Sequence, residues 1–492
     1  MAVSRREFLR VSSFLAAGGA AAGLLEFPRS AYAAEIPVER HILNRLTWGA
    51  RPQDVEQLQA LGIQGYLDWQ LNHEAIPDPL VDQFVGNRPI LTMPVSELIR
   101  VASNNYGVVL QTALWARLFR AAYSERQLYE RMVEFWTDHF NVPIADLLVE
   151  KIIDDREVIR RHALGSFRDL VFASAQSPAM LYYLNNADSS KEHPNENYAR
   201  ELMELHTLGV DGGYTEADVV EVARAFTGWT VQEGGGGFFF DLSDHDTDQK
   251  VVLGHTLPAG RGIEDGLQVL DIVVRHPSTA QFISSKLARR FVSDDPPQSV
   301  VDSTAAVFSA TGGNIREVMR HLLTTPEFLA SGGQKFRRPL DVVVAMMRAL
   351  WPGLDVGNPD PLISTLEGLG QLPYYWHPPN GYPDAAGAWI NTNGVLQRWN
   401  TAMELSLAGD GYFAGATLNL DNVIPPAASV EELVDVSVDR VLGVPLLPQD
   451  RDQLIAYISR GGSSGVLTDD QRRTKLPGLV GMLLASPYFQ WV

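Results

Sequence analysis

The chain predicts a mainly α fold, one large multi-helical region with at most a small β-hairpin insertion. Three observations carry this. Apolar residues recur at spacings of three and four along most segments. Runs with strand character are scarce. The apolar fraction, 45%, fills a large core without any run of the roughly 20 residues a membrane span needs.

Taken in order, residues 1–33 read as a twin-arginine export signal. Ser4-Arg5-Arg6-Glu7-Phe8-Leu9-Arg10 matches the S-R-R-x-F-L-[KR] pattern, and the modestly apolar stretch 11–25 contains Gly18, Gly19 and Gly23. Ala31-Tyr32-Ala33 offers the small residues a signal peptidase reads, so cleavage is expected before Ala34. The mature chain, 34–492, is expected to be periplasmic or extracellular, with no stable membrane span. On the way out it meets the twin-arginine translocase, a route for proteins already folded, often with a metal, a cofactor or a folded partner.

Helical periodicity then marks 50–61, 64–71, 111–140 with a break near Ser124, 195–208, 215–228, 278–291, 314–323, 338–350, 384–407, 429–442 and 469–484. Thr215 with Asp218 three residues on reads as a capping box. Ser177-Pro178, Thr325-Pro326 and Ser486-Pro487 read as three helix starts with proline at the first helical position. Segments 237–241 and 250–254 are expected to pair as a short hairpin around 242–249, beside the glycine run 234–237. Linker-like stretches fall at 353–361, a candidate sub-boundary, and at 408–426 and 461–465.

The net charge is −19, from 40 Lys+Arg against 59 Asp+Glu, and about −21 once residues 1–33 are removed. So acidic a surface argues against nucleic acid or anionic lipid as partner. There is no cysteine. That excludes Cys-ligated zinc, iron–sulfur clusters, thiolate haem and c-type haem, and leaves His, Asp, Glu, Asn or backbone oxygen for any divalent metal.

The densest polar chemistry lies in 193–229. On a regular helix Asn197, Glu201 and Glu204 share one face, a carboxylate surface suited to a cation or to acid–base work. His206 points roughly the other way, so one metal cannot be shared by Glu204 and His206 on a regular helix. The structural alternative pairs the glutamates with Arg200 or Arg224 and has His206 donate to a buried carbonyl. Further candidates are Asp138-His139 at a helix end, Asp244 to Lys250, His276-Pro277-Ser278 ahead of Lys286, Arg289 and Arg290, and the loops around Trp376 and Trp389. Gly-x-Ser-x-Gly, Walker, His-Glu-x-x-His and Glu-x-x-His patterns are absent from the sequence.

The run His41-Ile42-Leu43-Asn44-Arg45-Leu46-Thr47-Trp48-Gly49, Phe135-Trp136 with His139, and Asn195 through Gly209 resemble the exported bacterial DUF1800 family. Ala223 through Trp229, His245-Asp246, Lys250 and His276-Pro277-Ser278 extend the resemblance. It implies a mainly helical exported protein and supplies no reaction. Members are often encoded beside a DUF1501-type protein, itself sulfatase-like. Two readings follow. One is a hydrolytic or metal-dependent enzyme, with Glu201, Glu204, Arg200 and His206 catalytic and His139, Glu201, His245 and Asp246 as metal ligands. The acid and imidazole groups of His139, Glu201, Glu204 and His245 should then converge. The other is a binding or scaffold protein working with a DUF1501-type partner, its charged string a buried network that fixes helix packing.

Overall fold

The computed structural model describes residues 36–232, 236–351, 358–407, 418–459 and 465–492. The expected export signal, 1–33, lies outside the described residues, as do 233–235, where the glycine run begins, and 353–357, 408–417 and 461–464 of the linker-like stretches. The described chain is mainly helical, with two small antiparallel two-stranded sheets. Among the described residues no helix is long and apolar enough to cross a membrane.

Two large apolar cores divide the helices. The first is built from Val38–Leu46, Pro52–Leu71, Gln127–His139 and the helices between 158 and 328. The second is built from Pro79–Gly86, Val95–Tyr123, Pro339–Leu350, Thr392–Ser406 and Asp469–Ala485. Every residue of Pro339–Leu350 is buried, so this helix is the axis of the second core. Leu350 and Trp351 on one side of 353–361, and Leu362 and Leu366 on the other, belong to that same core.

Local chemistry explains most boundaries. Gly62 (φ 68°, ψ 170°) breaks Pro52–Leu71 between the two periodic halves. Ser124 ends Val95–Tyr123 in extended backbone. The Thr215/Asp218 capping box forms as read. All three Ser/Thr-Pro pairs start short helices, but only the Thr325 hydroxyl caps one, accepting from the Phe328 amide.

Two expectations need correcting. Segments 237–241 and 250–254 both contain strands, but they do not pair with each other. Strand β1 (Trp229–Val231) pairs with β2 (Phe238–Phe240), and β3 (Lys250–Val252) pairs with β4 (His255–Leu257). The second hairpin turns at Leu253 and Gly254, both at positive φ, the two-residue turn that suits strand twist. Segment 384–407 is helical only over Thr392–Ser406, preceded by a short 3-10 turn at Ala386–Ala388. Asp294 explains this by accepting the Ala386 amide at 2.7 Å, which fixes the loop on a different element.

Between the cores runs a seam of buried ions. Glu130, Glu134 and Asp138 lie four residues apart on Gln127–His139 and so share one face. Arg117 reaches Glu130 at 3.4 Å and Glu134 at 2.5 Å. Arg160 holds Glu130 at 2.8 Å and Asp155 at 2.8 Å. From the second core Arg338 reaches Glu134 at 3.0 Å and Asp138 at 2.7 Å, and Asp341 takes Arg131 at 2.7 Å.

Candidate functional site

The 195–209 segment shows how each candidate side chain is placed. Asn195 caps the helix by accepting the Asn197 amide at 2.9 Å. Glu196–Glu201 is α-helical and Leu202–Thr207 widens into a π turn, a feature frequent at functional sites. The turn sends His206 inward, where it is 1% exposed, and leaves Glu201 and Glu204 half-buried on the outer side. The opposition of His206 to the glutamate face is therefore as the sequence suggests.

Arg200 is occupied. It donates to Glu216 at 2.7 and 2.9 Å and to Glu196 at 3.3 Å, and lies 3.9 Å from Glu204. Glu204 also accepts from the Tyr214 hydroxyl. Glu201 differs. Burial, then the charge of Glu204, raises its pKa above the ordinary carboxylate value, and Arg200 only partly opposes this.

His139 and His206 meet in the first core with ring centroids 6.0 Å apart. The His139 Nε2–H donates to the His206 backbone carbonyl at 3.0 Å, and its Nδ1 accepts from Lys286 Nζ at 2.8 Å. Those partners fix a neutral tautomer. Burial and the neighbouring Lys286 push the His139 pKa well below its ordinary value. Burial brings Lys286 down to about 8. The His206 ring packs on Phe140 with centroids 5.0 Å apart, and its Nε2 has no hydrogen-bond partner. Burial lowers its pKa to about 3, and the expected donation to a buried carbonyl is not made by this nitrogen.

His245 and Asp246 serve a separate network. His245 Nδ1 lies 2.8 Å from the Thr227 carbonyl, and its Nε2 lies 3.5 Å from Asp265. Lys250, with a fully buried side chain, donates to Asp265 at 2.9 Å and to the carbonyls of Asp246 and Asp248. Arg261 adds a second cation to Asp265 at 3.1 Å. Asp246 itself is held by Arg224 at 2.7 and 3.3 Å.

The remaining candidates also have structural partners. The His276 ring caps its helix by accepting the Ser278 amide at 3.2 Å, and Ser278 Oγ donates to the Gly212 carbonyl. The 376–381 loop seals the end of Gln127–His139. Asn141 donates to the carbonyls of Trp376 and Pro378, and Gly381 (φ +71°) passes so close to the Asp138 carbonyl that a Cβ there would collide with it. Asp138 is pushed up to about 6 by burial and by Glu134, against the pull of Arg338 and Arg290.

Of the proposed set, the structure joins His139 to His206, Arg200 to Glu204, and His245 to Asp246 through the Thr227 region. It does not assemble His139, Glu201, His245 and Asp246 around one point. Among the described residues no group of three or more His, Asp or Glu side chains is placed to hold a metal ion. Sequence reasoning missed the ionic seam. Its signal was present in the Glu130, Glu134, Asp138 stripe on a helix otherwise rich in buried apolar residues.

These features define a class: a mainly helical body whose two cores are joined by buried ion pairs, with its polar sequence string turned largely inward. The chain belongs to the family described as "Protein of unknown function (DUF1800)", which matches residues 41–491. No curated protein and no solved structure matches it.

Proposed function

We propose that this is an exported binding or assembly protein, folded before it leaves the cytoplasm by the twin-arginine route and acting in the periplasm or outside the cell. In this reading it works with a folded partner, for which a DUF1501-type protein is the candidate. The observation that carries the reading is the internal use of the polar string. Arg200, Arg224, His139, His245, Asp246 and Lys250 each bond to another element of the same chain. A catalytic cleft keeps such groups aimed at a substrate.

Glu201 favours a second reading, a hydrolytic enzyme using a carboxylate base. It is half-buried and its pKa is raised, as a general base requires. Glu201→Gln separates the two. The binding reading expects unchanged stability and unchanged co-purification with the DUF1501-type protein from the exported fraction. The enzymatic reading expects the same stability with turnover lost on a panel of ester, phosphoester and sulfate-ester substrates. Export is tested by Arg5→Lys with Arg6→Lys, which should leave unprocessed protein in the cytoplasm, and by an N-terminus at Ala34 in the exported form.

A further inference from the structure

The two cores meet along the ionic seam, and beside Glu134 and Asp138 the structure leaves a cavity with room of about 10 Å³. Thr137, Asn141, Gln371 and Tyr382 supply further polar groups to its wall. A single water needs on the order of 10–15 Å³ of such room. The cavity therefore suits one water and leaves no space for an organic ligand.

Two atoms of this wall lack a hydrogen-bond partner among the described residues. They are Oγ1 of Thr137, a residue 4% exposed, and Nε2 of Gln371, a residue 0% exposed. The other polar side chains of the wall are engaged. Asn141 donates to the carbonyls of Trp376 and Pro378, and the Tyr382 hydroxyl donates to the Leu372 carbonyl. Gln371 Oε1 accepts the Leu340 amide at 2.9 Å, which settles which end of its amide carries the donors. Arg338 holds Glu134 at 3.0 Å and Asp138 at 2.7 Å, and each carboxylate keeps lone pairs for further donors. A buried hydroxyl or amide without a partner is costly, and such atoms are nearly always paired in folded proteins. Two of them on one water-sized cavity, with carboxylates beside them, match the two to four partners that an internal water takes.

We propose that this cavity is the binding site of one internal water, which bridges Thr137 Oγ1 to Gln371 Nε2 and donates to the Glu134 or Asp138 carboxylate. The site belongs to both cores. Thr137 stands on Gln127–His139 of the first core, and Gln371 lies between Leu369 and Leu372 of the second. The water is thus a part of the joint, alongside the ion pairs, and its site is complete only when the cores are docked. The inference does not depend on whether the chain works as a binding protein or as an enzyme.

The test uses the mature protein, 34–492. A high-resolution crystal structure should show one ordered water within about 2.7–3.2 Å of both Thr137 Oγ1 and Gln371 Nε2. Thr137→Val keeps the shape of the side chain and removes the hydroxyl. With the water in place this takes away one of its partners, and the melting temperature should fall by about 1–3 °C. In a dry cavity the same exchange removes an orphaned hydroxyl, and stability holds or rises. Absence of a water at that point, or a direct bond between the two side chains, overturns the proposal whatever the variant does. So does a Thr137→Val protein that melts at or above the parent temperature.

Discussion

Replacing Lys250 by methionine asks whether a residue of the family string serves the fold. The Lys250 ammonium has no solvent exposure and donates to Asp265 at 2.9 Å, to the Asp248 carbonyl at 3.0 Å and to the Asp246 carbonyl. Methionine fills a similar length but donates nothing. Removing one partner of a buried pair costs about 3–5 kcal/mol. Asp265 keeps Arg261 at 3.1 Å, which places this term at the low end. Two carbonyls lose their donor, at about 1 kcal/mol each. The sum is a loss of about 5 kcal/mol. Urea unfolding of residues 34–492, followed by circular dichroism and tryptophan fluorescence, should show the midpoint fall with little change of slope. A loss below about 1 kcal/mol would refute the reasoning, because it would mean that Asp265 is at ease without its ammonium.

Glu134→Gln strips the shared carboxylate from Arg117 and Arg338 at the boundary of the two cores, and should cost about 3–5 kcal/mol. It should also separate one unfolding transition into two. A single unshifted transition would count against the seam as the coupling element. For His206 the folded pKa lies near 3, below the ordinary 6.5, so its contribution is intact above pH 6.5 and is lost as pH falls toward 3. Between pH 7.5 and 5.5 that loss is about 1.4 kcal/mol. Guanidinium unfolding at the two pH values should therefore show a drop smaller by this amount in His206→Phe, and equal drops would contradict the assignment. Gly381→Ala places a methyl group against the Asp138 carbonyl at a positive φ, and should lower the melting temperature by several degrees while Gly387→Ala, with open space around it, should not.

Local features were legible because their causes are local. The break at Gly62, the end of a helix at Ser124 and the Thr215/Asp218 box each depend on residues within one turn. The placing of His206 away from the glutamate face followed from regular helical spacing, whereas the π turn over Leu202–Thr207 that carries it had no such signal. Partners were not legible. His139 meets Lys286 across 147 positions and Glu134 meets Arg338 across 204, and nothing in the spacing of either residue names the other. For the same reason the two strand segments were found while their pairing was missed: Leu253-Gly254 turns the chain back at once, so Lys250–Val252 needs no distant partner. The helix expected from 384 failed where Asp294 and Lys335 seize the Asp384–Ala386 loop. Glu201 and Glu204 share the outer, half-buried side, as their spacing suggested, yet the histidines expected beside them belong to two other networks.

The most direct measurement is a double-mutant cycle on Lys250→Met and Asp265→Leu, read as unfolding free energies of the mature chain. If the family string is built into the fold, the pair couples by about 2 kcal/mol or more, and the double variant is more stable than either single one. Coupling below about 0.5 kcal/mol, with both single variants folded and as stable as the parent, contradicts the account and returns these residues to a role outside the fold.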